Sequence, residues 1–309
     1  MAAVAFVFPG QGSQYVGMGK DLYERSEAAR SIFQKADRVV GFPLSQLCFE
    51  GPEEELRQTR NTQPAIFLHS VVLSQLLGGN PAAMAAGHSL GEYSALVHAG
   101  ALSFEDGLRL VRLRGELMQQ AGIEQPGTMA AVIGLQPSVV DAICVEAAAA
   151  GIVQAANFNS PGQIVISGSV EGVRKGMELA KARGAKLTKE LPVSGAFHSP
   201  LMASAGDGLK AALQKTAIRN AAIPVYTNVT ARPVGRAEEI REMLYLQLTK
   251  PVRWEESVVN MAADGAGTFV EVGPGKVLQG LIKRIAAGVQ TRGIEKFEDI
   301  TEDVVKTGA

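Results

Sequence analysis

Apolar residues along the chain fall into two patterns, short unbroken runs and helix-period stripes, and the two alternate. The stretch from Met1 to Phe8 is apolar throughout and is closed by Pro9-Gly10, which predicts a first buried strand. A glycine-rich turn, Pro9-Gly10-Gln11-Gly12-Ser13-Gln14, then leads toward a helix around Lys20 to Val40. Thr62-Gln63-Pro64-Ala65 opens an apolar helix running from Ile66 to Leu77, with proline at an early position as helix starts favour. The small apolar run Ala82 to Ala86 predicts a second buried strand, and Glu92 to Val97 suits the first turns of a helix. Ser103-Phe104-Glu105-Asp106 caps the next helix. That helix turns Leu108, Leu110, Val111, Leu113 and Leu117 inward and sends Arg109 and Arg112 to a solvated face.

The period changes in the middle of the chain. Strands are expected at Met129 to Ile133, Val153 to Asn157, Gln163 to Ser167 and Lys186 to Leu191, with helices at Pro137 to Ala149 and Val170 to Ala182. This βαββαβ order is that of a small ferredoxin-like unit inserted into a larger α/β domain, with Asn159-Ser160-Pro161-Gly162 as the hairpin turn between its middle strands. Gly127 and Pro192 mark its borders, so residues 127–192 form the small domain and residues 1–126 and 193–309 the large one. Later come a strand from Val225 to Val229, an amphipathic helix from Glu238 to Leu248, a turn at Pro251-Val252-Arg253-Trp254 and a buried strand from Thr268 to Val272. Glu295 to Ala309 reads as a polar, partly ordered tail.

Composition narrows the classes. The chain has 309 residues, 46% hydrophobic and 20% charged, which suits a sizeable globular core. A formal net charge of −1 gives no field calling for nucleic acid or an anionic membrane, so a charged partner must be met by a local patch. Cys48 and Cys144 are the only cysteines; they form no disulfide framework and no metal-binding spacing, and they suit a reducing cytoplasm. The apolar start lacks a basic leader, and no uninterrupted apolar run approaches the ~20 residues that span a bilayer. A soluble cytoplasmic protein is expected.

Candidate chemistry centres on Gly87-His88-Ser89-Leu90-Gly91, whose Gly-x-Ser-x-Gly spacing lies between a predicted strand and a predicted helix. That is the context of a nucleophile elbow, in which a strained turn exposes a serine and brings the flanking segments too close for side chains. The free N–H groups of the helix start lie where negative charge develops in acyl transfer. In a chain with 34 glycines the same spacing also arises by chance, so the partners of Ser89 decide. The turn at Gln11 either presents a second oxyanion donor or is a plain strand-to-helix turn; it lacks the Gly-x-x-x-x-Gly-Lys-Ser/Thr of a phosphate loop. Arg114 lies beside the buried stripe of its helix and needs a partner, either a structural carboxylate or an anionic substrate.

A serine nucleophile needs a base, and the chain has four histidines. His69 reads as a core histidine, His88 adjoins the serine and points elsewhere, and His98 lies toward the far end of the elbow helix. His198 remains, on the small-residue loop Val193 to Pro200 at the domain border. The ordinary esterase order, with its histidine near the carboxyl end, does not fit, because no histidine follows His198 and no HGGG-type segment precedes the elbow.

Phe8-Pro9-Gly10-Gln11-Gly12-Ser13-Gln14, Thr62-Gln63-Pro64-Ala65, Gly87-His88-Ser89-Leu90-Gly91-Glu92-Tyr93, Arg112-Leu113-Arg114-Gly115, Gly195-Ala196-Phe197-His198-Ser199-Pro200 and Glu271-Val272-Gly273-Pro274-Gly275 together resemble the malonyl-CoA:acyl carrier protein transacylases, in order and over nearly the whole chain. The resemblance implies a large hydrolase-like α/β domain with a mostly parallel sheet, a small ferredoxin-like domain and an acyl-serine intermediate. It implies Ser89 as nucleophile, His198 as base, the N–H groups of Gln11 and Leu90 as oxyanion hole, and Arg114 as the binder of the malonyl carboxylate. Gln247 would orient the histidine through its backbone carbonyl, and His88 and Gln63 would support the acyl group and the elbow. Malonyl-CoA is then the substrate, an acidic acyl carrier protein the transient partner, and no metal or permanently bound cofactor is needed. Lys181, Arg183, Lys186 and Lys189, or else Lys283 and Arg284, are candidate docking cations. A polyketide-pathway acyltransferase would share every one of these residues; a thioesterase and a catalytically idle scaffold are the rivals from other classes.

Overall fold

The computed structural model describes residues 2–78 and 82–300. In chain order these give β1 (Ala3–Phe8), α1 (Lys20–Arg25), α2 (Glu27–Val40), α3 (Leu44–Glu50), α4 (Glu53–Leu56), α5 (Thr59–Leu76), β2 (Met84–Gly87), α6 (Gly91–His98) and α7 (Phe104–Glu124). Next come β3 (Gly127–Ile133), α8 (Pro137–Ala147), β4 (Val153–Ser160), β5 (Gln163–Ser169), α9 (Val170–Ala182) and β6 (Leu187–Glu190). After a 3₁₀ turn at Pro200–Ala205 follow α10 (Gly206–Lys215), β7 (Val225–Tyr226), β8 (Pro233–Val234), α11 (Ala237–Leu246), α12 (Trp254–Ala263), β9 (Ala266–Val272), α13 (Val277–Ile285) and β10 (Gln290–Ile294).

The chain is a mixed α/β fold with two sheets. The first is mostly parallel, in the order β10-β9-β1-β2-β7-β8, with only β7 and β8 antiparallel. Its central strands are apolar runs because helices cover both faces, so every residue from Val4 to Phe8 and from Met84 to Gly87 is buried. Phe8 pairs with Gly87 and Ala86 with Tyr226, so three strands end side by side. The loops that follow them leave from one carboxyl edge, where open α/β sheets bind their ligands.

The second sheet is antiparallel, in the order β4-β5-β3-β6. With α8 and α9 against it, it buries its own cluster, including Val132, Val140, Ile143, Ile164, Ile166 and Val173. β4 is tied to the segment before α12 at Val252, whose N–H donates to Ala156 O at 2.8 Å and whose carbonyl accepts from Phe158 N at 2.9 Å. The main core unites β1, α5, α6 and α7 around Phe6, Phe8, Phe67, Leu68, Tyr93 and Val111.

Several expectations change. The helix expected around Lys20 to Val40 is two, because Ser26 adopts an extended conformation and its hydroxyl accepts from Ala29 N, capping α2. Pro64 does not open its helix but sits inside α5, as its sixth residue. A proline there leaves the carbonyl of Arg60 without its intrahelical donor, and Arg112 Nη1 donates to that oxygen at 2.9 Å. Arg112 is therefore not a solvated residue: it also donates to Asn61 Oδ1, pairs with Glu116 and lies over the Phe42 ring. Leu113, expected to face inward, is partly exposed. Trp254 is not the end of a turn but the fully buried first residue of α12. The expected tail begins as β10 ends, and Phe297–Asp299 form a further 3₁₀ turn; Met1 and residues 301–309 lie outside the described residues.

Glu271 explains one of the motifs. Its buried carboxylate accepts from the N–H groups of Leu278 and Gln279, closing the start of α13. No helix among the described residues is long and apolar enough to cross a membrane.

Candidate active site

Ser89 stands between β2 and α6 with φ at +50°, a left-handed conformation that costs a non-glycine residue of order 1–3 kcal/mol. The flanking glycines are steric necessities. A Cβ on Gly87 would lie 1.9 Å from the Gly91 carbonyl carbon, and one on Gly91 would lie 2.0 Å from Phe8 O. The expected elbow is thus present, packed against the end of β1.

Ser89 Oγ lies 2.7 Å from His198 Nε2. The other ring nitrogen, Nδ1, lies 2.8 Å from the backbone carbonyl of Gln247. A carbonyl oxygen only accepts, so Nδ1 carries the proton and Nε2 is left to receive the serine hydroxyl. Burial, and next the positive charge of Arg114, push His198 down to about 3, so the ring is neutral and able to act as a base at ordinary pH. His198 also has positive φ, +56°, and Gln154 of β4 fixes that backbone by donating to His198 O at 2.7 Å and Thr249 O at 3.1 Å.

Arg114 is 1% exposed, and all its hydrogen-bond partners are neutral. Nη1 donates to Gln63 Oε1 at 2.7 Å, and Nη2 donates to Gln247 Oε1 at 3.0 Å and to Ser89 Oγ at 3.1 Å. Nε has no partner among the described residues, and no carboxylate there forms an ion pair with Arg114. The buried carboxylate of Glu92 acts on Arg114 at longer range and is linked to it through the Gln247 side chain, so the carboxylate partner is indirect; the guanidinium also lines a cavity of about 180 Å³. Lining that cavity are Gln11, Gln63, His88, Leu90 and Phe197 together with Ser89, His198 and Arg114.

The remaining candidates fall in the same place. Neither the N–H of Gln11 nor that of Leu90 donates to a protein acceptor among the described residues, and both residues line the cavity, which suits oxyanion donors. His88 shares a 2.8 Å hydrogen bond with Asn159 Oδ1, so its ring joins the elbow to the second sheet. Gln63 anchors Arg114 and donates to the Met118 sulfur. Gln247 does more than orient the histidine, because its side-chain amide also donates to Ser89 O and Glu92 Oε2, at 3.0 Å each.

Sequence reasoning missed Glu92, Asn228, Gln154 and Asn159 as site residues. Glu92 is 1% exposed, and burial raises its carboxyl to about 7. Its place in the first turn of α6, three residues after a glycine-bounded serine, is the only signal that could have drawn attention to it. The other three sit in ordinary strand and turn segments. His69 lies in the core, and His98 bonds Ser74 Oγ at 2.7 Å, both away from the serine. Both cysteines are buried. Among the described residues no group of three or more His, Cys, Asp or Glu is placed to hold a metal ion.

Comparison with known proteins shows the family. The model of the acyl transferase domain family matches residues 5–296. A malonyl CoA-acyl carrier protein transacylase of Bacillus subtilis is 46% identical over 303 residues, covering 97% of this chain and 96% of the relative. The structure of a malonyl CoA-acyl carrier protein transacylase from Coxiella burnetii superposes with a TM-score of 0.94 at 41% identity, covering 99% of this chain and 97% of that one. A malonyl-transacylase solved with a type II PKS acyl-carrier protein superposes with a TM-score of 0.93 at 42% identity, over 97% of this chain and 98% of that one. The chain whose elbow serine, neutral histidine and buried arginine meet in one cavity thus belongs to the acyl transferase domain family, among its malonyl CoA-acyl carrier protein transacylases.

Proposed function

We propose that this enzyme transfers malonyl from malonyl-CoA to the phosphopantetheine thiol of an acyl carrier protein through a malonyl-Ser89 ester, supplying fatty acid synthesis. The observation that carries the reading is the position of Ser89 Oγ, 2.7 Å from the unprotonated nitrogen of His198 and 3.1 Å from the Arg114 guanidinium. Ser89 attacks the thioester carbonyl as its proton passes to His198 Nε2. The N–H groups of Gln11 and Leu90 receive the oxyanion, and Gln247 O holds the imidazolium that forms. Collapse breaks the carbon–sulfur bond, and His198 returns the proton to the coenzyme A thiolate. In the second half the carrier thiol gives its proton to His198, attacks the ester and restores the serine hydroxyl.

Arg114 binds the free carboxylate, its empty Nε and adjacent Nη forming the fork that a carboxylate fits. Gln63 and Gln247 hold the guanidinium from behind. His88 and Gln63 support the acyl group and the elbow. The unit at 127–192 reads as a ferredoxin-like insertion into the domain formed by 1–126 and 193–309; its βαββαβ order and separate core support that division. The chemistry asks for no metal or resident cofactor.

For the carrier, the rim beside the mouth supports a docking surface. Leu191, Pro192 and Val193 line a second cavity that shares Gln11 with the first, and β6 leads directly into them. Arg183 is occupied by Glu146, whereas Lys186 and Lys189 are exposed and have no ion pair among the described residues. The test is intact-mass measurement: malonyl-CoA adds one malonyl group to Ser89, and added acyl carrier protein removes it. Release as free malonate without carrier would make the chain a thioesterase, and no adduct would overturn the reading.

A further inference from the structure

On the β7 side the elbow has no strand beside it, because the pairing of β2 with β7 ends at Ala86 and Tyr226. Two residues past that end, Asn228 supplies with its side chain what a strand would supply with its backbone. Nδ2 donates to Gly87 O at 2.6 Å, and Oδ1 accepts from Ser89 N at 2.6 Å. One amide thus grips both sides of His88, where the chain turns into its left-handed conformation.

Asn228 is itself held rigidly and is fully buried. Its N–H donates to Glu92 Oε2 at 2.8 Å, and its carbonyl accepts from Arg253 N at 2.9 Å. Glu92 Oε2 also accepts from Gln247 Nε2, so one carboxylate ties the Asn228 backbone to the residue that orients His198 and Arg114. The bond to Ser89 N has a second effect. It occupies that N–H and fixes the orientation of the turn that follows, where the N–H of Leu90 stays free.

We propose that Asn228 is a positioning residue for the nucleophilic step, its side-chain amide holding the Ser89 backbone so that Oγ stays within reach of His198 while the Leu90 N–H remains available to the oxyanion. The proposal rests on the reading of Ser89 as nucleophile. It assigns Asn228 no contact with substrate; the carboxamide acts only through the elbow.

The test is single-turnover malonyl loading from malonyl-CoA, followed by quench and intact mass across a pH series, on the full-length protein. Asn228→Ala removes both bonds, and the loading rate should fall on the order of 100-fold, the scale of effect of an ångström-level misplacement. KM should stay within about threefold, since no binding group is lost. Asn228→Asp keeps the acceptor for Ser89 N but turns the donor to Gly87 O into a carboxylate oxygen. Protonating that carboxylate restores an O–H donor beside a carbonyl acceptor, so loading by Asn228→Asp should rise about tenfold or more from pH 8 to pH 5.5 while wild type does not rise. A merely structural role predicts no such inversion. Wild-type loading at Asn228→Ala, or an Asn228→Asp profile parallel to wild type, overturns the proposal, and if the alanine variant fails to fold the aspartate profile decides. Absence of loading by wild type would instead sink the proposed function.

Discussion

Arg114 donates through Nη2 to Ser89 Oγ at 3.1 Å, so the cation proposed to hold the substrate's carboxylate also touches the proposed nucleophile. The serine hydroxyl then donates to His198 and accepts from Arg114, an arrangement that favours developing alkoxide charge. On the proposed reading, an incoming carboxylate draws the guanidinium toward itself and away from the serine.

Arg114→Ala separates these roles. Leaving a buried charge without its partner costs roughly 3–5 kcal/mol, so malonyl loading should fall by about 100-fold or more. Acetyl never uses the clamp and should lose less, reversing or erasing the preference between the two thioesters. Arg114→Lys should recover only part, because an ammonium lacks the fork. Loading rates with each thioester check this, and an intact malonyl preference in the alanine variant would reduce Arg114 to a structural residue.

Gln247 offers a sharper separation. Its contact with His198 is made by the main-chain oxygen, while its contacts with Arg114, Ser89 O and Glu92 are made by the side chain. Gln247→Ala should therefore leave the base in place and loosen the clamp, lowering malonyl loading about tenfold or more and acetyl loading less. Equal losses for both thioesters would show that the side chain mainly fixes the serine.

The strain at Ser89 is measurable as stability. Ser89→Ala and Ser89→Gly both abolish covalent loading, but only glycine adopts φ +50° without strain. The glycine variant should be more stable than the alanine variant by about 1 kcal/mol in urea unfolding, the difference being reduced by the greater chain entropy of glycine when unfolded. Equal midpoints would mean that the elbow relaxes once the hydroxyl is gone.

Stability should fall as the solution is acidified below neutrality. His69 and His98 are pushed down to about 4 and His198 to about 3, all chiefly by burial. Below the ordinary histidine value of 6.5 the unfolded chain takes up protons that the folded chain refuses, so each contributes stability above 6.5 that is lost as pH falls toward 4, about 1.4 kcal/mol per pH unit at most. Glu92, raised to about 7, works in the opposite direction: between 7 and 4.5 the folded state binds a proton that the unfolded state does not. Urea midpoints should drop between pH 7 and pH 5, and more steeply in Glu92→Gln, which lacks the opposing proton. A shallower slope in that variant would contradict the assignment.

The sequence by itself determined the local parts of this protein. Apolar runs became β1, β2 and β9 because those strands are covered on both faces. The glycines at 87 and 91 marked the elbow because no side chain fits there. His198 was reachable by elimination among four histidines. What the sequence could not carry was any contact made between distant segments. Pro64 looked like a helix opener because the donor that satisfies Arg60 O comes from Arg112, 52 residues away. Asn228, Gln154 and Asn159 look like ordinary polar residues of turns and strands until β7 and β4 are laid beside the elbow and the His198 loop. The protonation state of His198 and the lack of a direct ion pair at Arg114 among the described residues likewise come only from the folded chain. A backbone carbonyl has no signature in sequence, and the distance between a guanidinium and a carboxylate is a property of space, not of order along the chain.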